Sequence, residues 1–550
     1  MSLLEIENLN LSIGKLPILK DVTLTIGAGE VRGLVGESGS GKSMTALSIM
    51  QLLPRGMTAA GRISFDGIDI LGATENQMNA LRGDDIGMVF QEPMTALNPV
   101  KTIGAQVSEG IRWHTRVSRA EADERTRRIL DRVGLPEAKF PMSRFPHQLS
   151  GGQRQRVVIA IATALKPKLL IADEPTTALD VVLQAQILDL LRELVHEDRS
   201  GLLLISHDLA VVTDMSDTIT IMRHGEVVDE GETARVLVDQ AHPYTRQLAQ
   251  ASMHVPELRR DRAALQAATA RHAHDGAPLL LRVANVVKDY PGERTGLLSR
   301  AKPFRAVDDV SFELKQGESV ALVGRSGCGK STLARAILAL DQPTSGRIEL
   351  DGVDIAGLGD NELTAHRRKM QVVFQDPYGS FDPRHDVERL VSEPLHLLEN
   401  RPSAAGRRDM VRQALAEVGL PADAMDKYPH EFSGGQRQRL SIARALITRP
   451  KLIVADEPVS ALDVSIRAQV LDLFAELNQR LGVAYVFITH DLTVARAITD
   501  RVMVMHDGRI VEEGVTDDVL DHPNSDPARA LVDAAPDLRR AIRRRLGEQG

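Results

Sequence analysis

Two kinds of apolar pattern alternate along the chain. The short runs "EVRGLVG" (30–36) and "SVALVG" (319–324) end in glycine-rich turns, and "LLIAD" (169–173) and "LIVAD" (452–456) end in an acid. Short apolar runs of this kind predict strands buried on both faces of a parallel sheet. "VVIAIATAL" (157–165) and "LSIARAL" (440–446) follow Ser-Gly-Gly segments and predict helices, with Ser150 and Ser433 as N-caps. Strand, loop and helix recur in that order, which predicts an α/β architecture. The acids that close the runs then fall at the carboxyl ends of strands, where open α/β sheets bind ligands.

The pattern occurs twice. "PHQLSGGQRQR" (146–156) returns as "PHEFSGGQRQR" (429–439), 283 residues later. "GESGSGKS" (36–43) returns as "GRSGCGKS" (324–331), "VFQEP" (89–93) as "VFQDP" (373–377), and "ISHDLAV" (205–211) as "ITHDLTV" (488–494). Ser150 to Asp173 and Ser433 to Asp456 are both 23 residues, and Asp173 to His207 and Asp456 to His490 are both 34. Lys42 to Gln91 spans 49 residues against 45 for Lys330 to Gln375, so the length differences sit between the first loop and the glutamine. This period is far too long for a solenoid and reads as a duplicated domain. The expected organisation is a first domain at 1–255, a polar, Ala-rich linker at 256–278, and a second domain at 279–550. His272 and His274 in the linker read as a solvated pair, since no cysteine or third histidine lies nearby.

Composition narrows the classes. A single cysteine, Cys328, excludes a disulfide framework and any multi-cysteine metal cluster within the chain. The formal charge of −8 gives no global attraction to nucleic acid. The apolar stretch 157–165 is about half the length that spans a bilayer, and the first ten residues carry Glu5 and Glu7 but no basic segment, unlike a secretory signal. Work at a membrane would require recruitment by partners.

Both Gly-rich loops fit G-x-x-x-x-G-K-[ST], whose backbone amides cradle phosphates at a helix N-terminus. The candidate nucleotide-binding residues are Gly36, Glu37, Ser38, Gly39, Ser40, Gly41, Lys42 and Ser43, and in the second half Gly324, Arg325, Ser326, Gly327, Cys328, Gly329, Lys330 and Ser331. Lys42 and Lys330 are expected to reach the β- and γ-phosphates, and Ser43 and Ser331 to ligate Mg²⁺ with Asp173 and Asp456. Glu174 and Glu457 stand next to those acids, where a carboxylate can polarise water for attack on a γ-phosphate. The plainer alternatives are a Gly-rich turn and a pair of capping acids; the repetition of both motifs in register argues against them. The Ser-Gly-Gly segments expose backbone amides at helix starts, a second anion site in each half.

Taken together, these motifs resemble the ATP-binding subunits of ABC transporters, with two nucleotide-binding domains fused. Phosphate loop, glutamine loop, signature, acidic strand end and histidine loop occur in order, twice. The resemblance implies a P-loop NTPase fold in each half, with a RecA-like core, an antiparallel β subdomain and a helical subdomain. It also implies composite ATP sites. Lys42, Ser43, Gln91, Asp173, Glu174 and His207 would work with Ser433, Gly434, Gly435 and Gln436. Lys330, Ser331, Gln375, Asp456, Glu457 and His490 would work with Ser150, Gly151, Gly152 and Gln153. Gln91 and Gln375 would touch metal and water, His207 and His490 the γ-phosphate, and Asp180 and Asp463 would run between the sites. Tyr290 suits the adenine-stacking position, for which the first half offers only Ile13.

"QEPMTALNP" (91–99), "QDPYGSFDPR" (375–384) and "HPYTRQLAQA" (242–251) resemble the peptide and nickel importer group; "HPNSDPARAL" (522–531) is a weaker counterpart. The implied function is ATP hydrolysis that powers a membrane importer of peptides. The implied partners are two integral membrane permeases and, through them, an extracytoplasmic solute-binding protein, with ATP and Mg²⁺ as cofactors, at the cytoplasmic face of the bacterial inner membrane. No nucleic-acid partner is expected. The rival reading is a tandem ATPase acting on ribosomes or nucleic acid, against which stand the short join and the absence of zinc cysteines. The solute stays open between peptide, nickel, glutathione and a peptide-like antibiotic. The tail "LRRAIRRRLGEQG" (538–550), five arginines in seven positions, reads as a solvated helix end or a contact for anionic lipid.

Overall fold

The computed structural model describes residues 2–177, 179–257, 276–292, 303–376 and 379–547. Most of the expected linker, with His272 and His274, lies outside them. The chain divides into two compact units, residues 1–253 with 536–550, and residues 254–535.

Among its described residues the first unit contains ten strands: β1 (Ser2–Ile13), β2 (Leu16–Gly27), β3 (Val31–Val35), β4 (Met57–Phe65), β5 (Ile68–Asp69), β6 (Ile86–Val89), β7 (Leu169–Asp173), β8 (Gly201–Ser206), β9 (Thr218–Arg223) and β10 (Glu226–Glu232). One sheet is antiparallel, in the order β2-β1-β4-β5; the other runs β10-β9-β3-β8-β7-β6, with every pairing parallel except β9 with β10. β7 and β8 are buried at every position, as expected of strands covered on both faces. β2 instead buries Val22, Leu24 and Ile26 in alternation with exposed neighbours, the signature of a sheet with one wet face. Helices Ile103–Thr115, Arg119–Arg132 and Gly151–Thr163 form a helical region whose apolar residues, among them Ile111, Ile129 and Val157, continue the core around Val35 and Val89.

The second unit repeats this plan: β11 (Leu279–Tyr290), β12 (Phe304–Lys315), β13 (Ser319–Val323), β14 (Ser345–Leu350), β15 (Val353–Asp354), β16 (Met370–Val373), β17 (Leu452–Asp456), β18 (Ala484–Ile488), β19 (Arg501–His506) and β20 (Arg509–Val515). Its sheets run β12-β11-β14-β15 and β16-β17-β18-β13-β19-β20. No helix among the described residues is long and apolar enough to cross a membrane.

The C-terminal tail departs from the expected boundaries, which assigned 279–550 to the second domain. Helix Leu538–Arg545 packs on the first unit: Leu538 and Ala541 are buried, and Leu538 and Ile542 join that unit's core. Arg544 pairs with Asp214 at 2.5 Å, and Arg545 donates to the carbonyls of Thr213 and Asp214 at the end of helix Leu209–Met215. The tail is thus neither a solvated end nor free for lipid along these contacts. Its apolar face and its cations fit a helix C-terminus with orphan carbonyls.

Candidate active site

In the first unit the site is assembled from the carboxyl ends of four adjacent parallel strands. Residues 36–41 follow β3, His207 follows β8, Asp173 and Glu174 stand at and beyond the end of β7, and Gln91 follows β6. The order β3-β8-β7-β6 therefore brings together side chains that are far apart in sequence. β13, β18, β17 and β16 do the same for residues 324–329, His490, Asp456, Glu457 and Gln375.

The phosphate loop is built around glycines that tolerate no side chain. A Cβ on Gly36 would lie 2.3 Å from the Met222 carbonyl oxygen, and one on Gly41, at φ +105°, 2.4 Å from Leu19. Gly324 and Gly329 are equally hemmed in by the carbonyl oxygens of Met505 and Ala306. Helix Lys42–Ile49 starts at Gly41, and helix Lys330–Ile337 at Gly329. Lys42 is buried and its Nζ donates to the carbonyls of Gly36 (2.8 Å) and Glu37 (3.0 Å); Lys330 does the same to Gly324 (2.7 Å) and Arg325 (3.0 Å). Cys328 is buried in the second loop, where it packs as a small filler.

Ser43 Oγ donates to Asp173 Oδ1 at 3.1 Å, joining two of the expected metal ligands. Burial, helped by the neighbouring Glu174 carboxylate, pushes the Asp173 carboxyl up to about 6, and burial raises Asp456 in the same way. Two oxygens at this spacing, one on a carboxylate short of positive charge, suit a hard divalent cation.

The adjacent glutamates behave oppositely. Burial opposes their ionisation, but His207, Thr177 and Lys42 outweigh it at Glu174, holding its carboxyl at about 2. At Glu457, His490 and Lys330 outweigh burial, so its carboxyl is also lowered. His207 Nδ1 lies 3.3 Å from Glu174 Oε1, and His490 Nδ1 lies 3.0 Å from Glu457 Oε1. Burial lowers His490, but the hydrogen bond and charge of Glu457 more than reverse this. Gln91 Nε2 donates to Glu174 Oε2 at 3.0 Å, and Gln375 Nε2 to Glu457 Oε2 at 2.8 Å. Each half thus carries a Gln–Glu–His chain at one sheet edge.

The two glutamates also share a backbone feature that no sequence pattern announces: Glu174 and Glu457 sit at φ +47° and +46°. Non-glycine residues held in the left-handed region cluster at functional sites, where surrounding bonds fix them. Here the Glu174 N–H donates to Ile205 and the Glu457 N–H to Ile488, each at 2.9 Å.

In the signature segments, Ser150 and Ser433 cap helices Gly151–Thr163 and Gly434–Leu446 through reciprocal capping boxes with Gln153 and Gln436. Gly151 and Gly434 are exposed, whereas Gly152 and Gly435 face Leu183 and Ile466. Asp180 caps helix Val181–Asp198 by accepting from the Leu183 N–H, and Asp463 stands at the matching start of helix Val464–Leu481. Ile13 and Tyr290 occupy the matching ends of β1 and β11. The Tyr290 hydroxyl donates to Asp341 Oδ2 at 2.9 Å, and the Lys288 ammonium lies over its ring at 5.2 Å.

Two phosphate-binding loops, each facing a Ser–Asp pair and a Gln–Glu–His chain, define a P-loop nucleotide hydrolase present twice in one chain. The ABC transporter family model matches residues 19–177 and 307–460, and the model of the oligopeptide/dipeptide transporter C-terminal region matches 228–278. The chain belongs to the ABC transporter family, as an ATPase of the peptide-importer group. It is 44% identical to the glutathione import ATP-binding protein GsiA of Escherichia coli O157:H7, over 97% of this chain and 90% of that protein. It is 45% identical to GsiA of Pectobacterium atrosepticum, over 94% and 86% respectively. Among solved structures, a dimeric ATP-binding cassette bound to ADP and phosphate is 32% identical, covering 43% of this chain and 99% of that one, with a TM-score of 0.39. A cassette of an ABC transporter from Clostridium perfringens is 28% identical, covering 44% and 91%, with the same score.

Proposed function

We propose that the chain hydrolyses ATP at two sites to drive import of a short peptide-type solute, with glutathione the first candidate because the relatives are named for its import. The observation that carries this reading is the complete Lys–Ser–Asp–Glu–Gln–His set in both halves, each glutamate already engaged by its glutamine and histidine. In each half the loop amides and the lysine hold the phosphates, and Glu174 or Glu457, kept ionised, accepts a proton from the attacking water. His207 or His490 orients that carboxylate. Ser43 with Asp173, and Ser331 with Asp456, would hold Mg²⁺, and Gln91 and Gln375 would complete its surroundings. The metal, when bound with ATP, neutralises phosphate charge.

The signature of one half, Ser150 to Gln153 or Ser433 to Gln436, would complete the site of the other, its exposed amides at a helix start suiting an anion. Tyr290, with one face covered by Lys288, would offer adenine the other face; Ile13 offers only apolar contact. Two integral membrane permeases would hold the chain at the cytoplasmic face of the inner membrane and pass on solute from an extracytoplasmic binding protein. The test is uptake by proteoliposomes containing the chain, its permeases and the binding protein. ATP-dependent accumulation of labelled glutathione or a short peptide is expected. No accumulation of either solute, with ATPase activity unresponsive to loaded binding protein, would overturn the import reading.

A further inference from the structure

The segment that follows the first unit's last strand reaches the phosphate loop through one side chain. Helix Pro243–Ser252 begins at His242, whose Nδ1 accepts from the Tyr244 N–H at 3.2 Å. One residue on, Thr245 is buried and its Oγ1 donates to Asp229 Oδ2 on β10 at 2.6 Å. These contacts turn the Tyr244 ring inward, where it is 1% exposed and lies beneath the Arg223 guanidinium at 4.7 Å. There the phenol oxygen accepts the N–H of Glu37, the second residue of the phosphate loop, at 3.4 Å. The carbonyl of the same Glu37 holds the Lys42 ammonium. Burial and the Glu37 carboxylate push the phenol up to about 12, so it is a neutral hydroxyl at any physiological pH.

The second half is built differently. Asn524 stands where Tyr244 does in the "HP" segment, and its N–H donates to Glu512 Oε1 on β20 at 2.9 Å. Ser525 donates to the other oxygen of the same carboxylate. Ser525 thus ties that segment to its strand as Thr245 ties the first, and Asn524, unlike Tyr244, is bonded to the strand as well.

We propose that Tyr244 is a positioning residue for the first ATP site, pinning the entrance of loop 36–43 to the C-terminal segment so that this segment sets how readily the first loop, and not the second, accepts nucleotide. The inference rests on the reading of residues 36–43 as an ATP site. The physical basis is preorganisation. A loop whose amides and lysine are already held gives up less conformational freedom on binding. Tyr244 fixes the peptide that also fixes Lys42.

The test uses the full chain carrying Lys330→Ala, so that nucleotide titration reports the first loop. Tyr244→Phe keeps the ring and its Arg223 contact and removes the hydroxyl. MgATP affinity should fall roughly threefold to tenfold, the ratio expected when one ordinary hydrogen bond is lost. Amide exchange should quicken within 36–43 and stay unchanged within 324–331. Lys42→Ala in the same background checks the site itself. If it abolishes binding while Tyr244→Phe leaves affinity and exchange unaltered, the Tyr244 inference is overturned and the site reading stands. If Lys42→Ala binds as before, the site reading falls and the inference with it. Should Tyr244→Phe fail to fold, the unmutated chain decides: amides of 36–38 should exchange more slowly than those of 324–326, and equal rates would overturn the proposal.

Discussion

Asp173 and Glu174 are neighbours with opposite electrostatic fates. Glu174 is held ionised by His207, Thr177 and Lys42, whereas Asp173 has Ser43 and Lys42, which do not outweigh its burial and the Glu174 charge. The Asp173 carboxyl therefore weighs against the folded state at neutral pH. Its pKa is about 6 in the fold against an ordinary 3.8, so its contribution to stability is fully present below 3.8 and is lost as the pH rises through about 6. Asp173→Asn should accordingly stabilise the nucleotide-free chain by about 1–3 kcal/mol at pH 7.5. The gain should fade as the pH falls below 6, and Mg²⁺-dependent ATP binding should weaken. Urea unfolding at pH 7.5 and pH 5 measures the first effect; a variant less stable than the parent at pH 7.5 would contradict the assignment. The buried acid ending "LLIAD" was legible from the sequence, because a carboxylate at the end of an all-apolar run has few roles other than ligation. The left-handed backbone of Glu174 and the Tyr244–Glu37 bond were not. Both depend on contacts between residues distant in sequence, as when the Glu174 N–H finds the Ile205 carbonyl.

At the scale of elements, the two signature helices look alike in sequence but pack differently. A Cβ on Gly435 would lie 2.3 Å from Ile466 Cγ2, a methyl set directly on a branched Cβ with little freedom to move, whereas one on Gly152 would meet the tips of Leu183 at 3.2 Å. Overpacking a tight contact costs about 1–3 kcal/mol. Gly435→Ala should fall in that range, and Gly152→Ala should cost less than about 1 kcal/mol because a leucine tip can rotate away. Denaturant unfolding of the two variants checks the order; equal losses would show that the backbones have shifted to absorb both. The parallel strands were readable because five-residue apolar runs closed by glycine or an acid fit little else. The tail shows the limit of such reading. Its arginines were evident, but their partners Asp214 and the Thr213 carbonyl lie more than 300 residues away, beyond any local pattern. The helical spacing that buries Leu538 and Ala541 and half-buries Ile542 was masked by the charge around it.

At the scale of the whole molecule, the duplication has kept the same candidate site residues in both halves while changing what surrounds them. Each half has its lysine, serine, aspartate, glutamate, glutamine and histidine at the same four strand ends. The differences lie at the margins: Tyr290 against Ile13 beside the loop, Tyr244 against Asn524 after the last strand, and Cys328 against Ser40 within it. A degenerate, binding-only half would be expected to have lost its glutamate or histidine first, since those groups serve turnover and not affinity. Turnover is therefore expected in both halves. It is tested most directly by the steady-state ATPase rate of the chain assembled with its permeases, measured for the parent, Glu174→Gln and Glu457→Gln, with MgATP binding recorded alongside. Each substitution should leave nucleotide binding intact and lower the rate at least about tenfold, since a positioned general base typically contributes more than that. A near-normal rate in either variant, with nucleotide still bound, would show that its half does not contribute a working site.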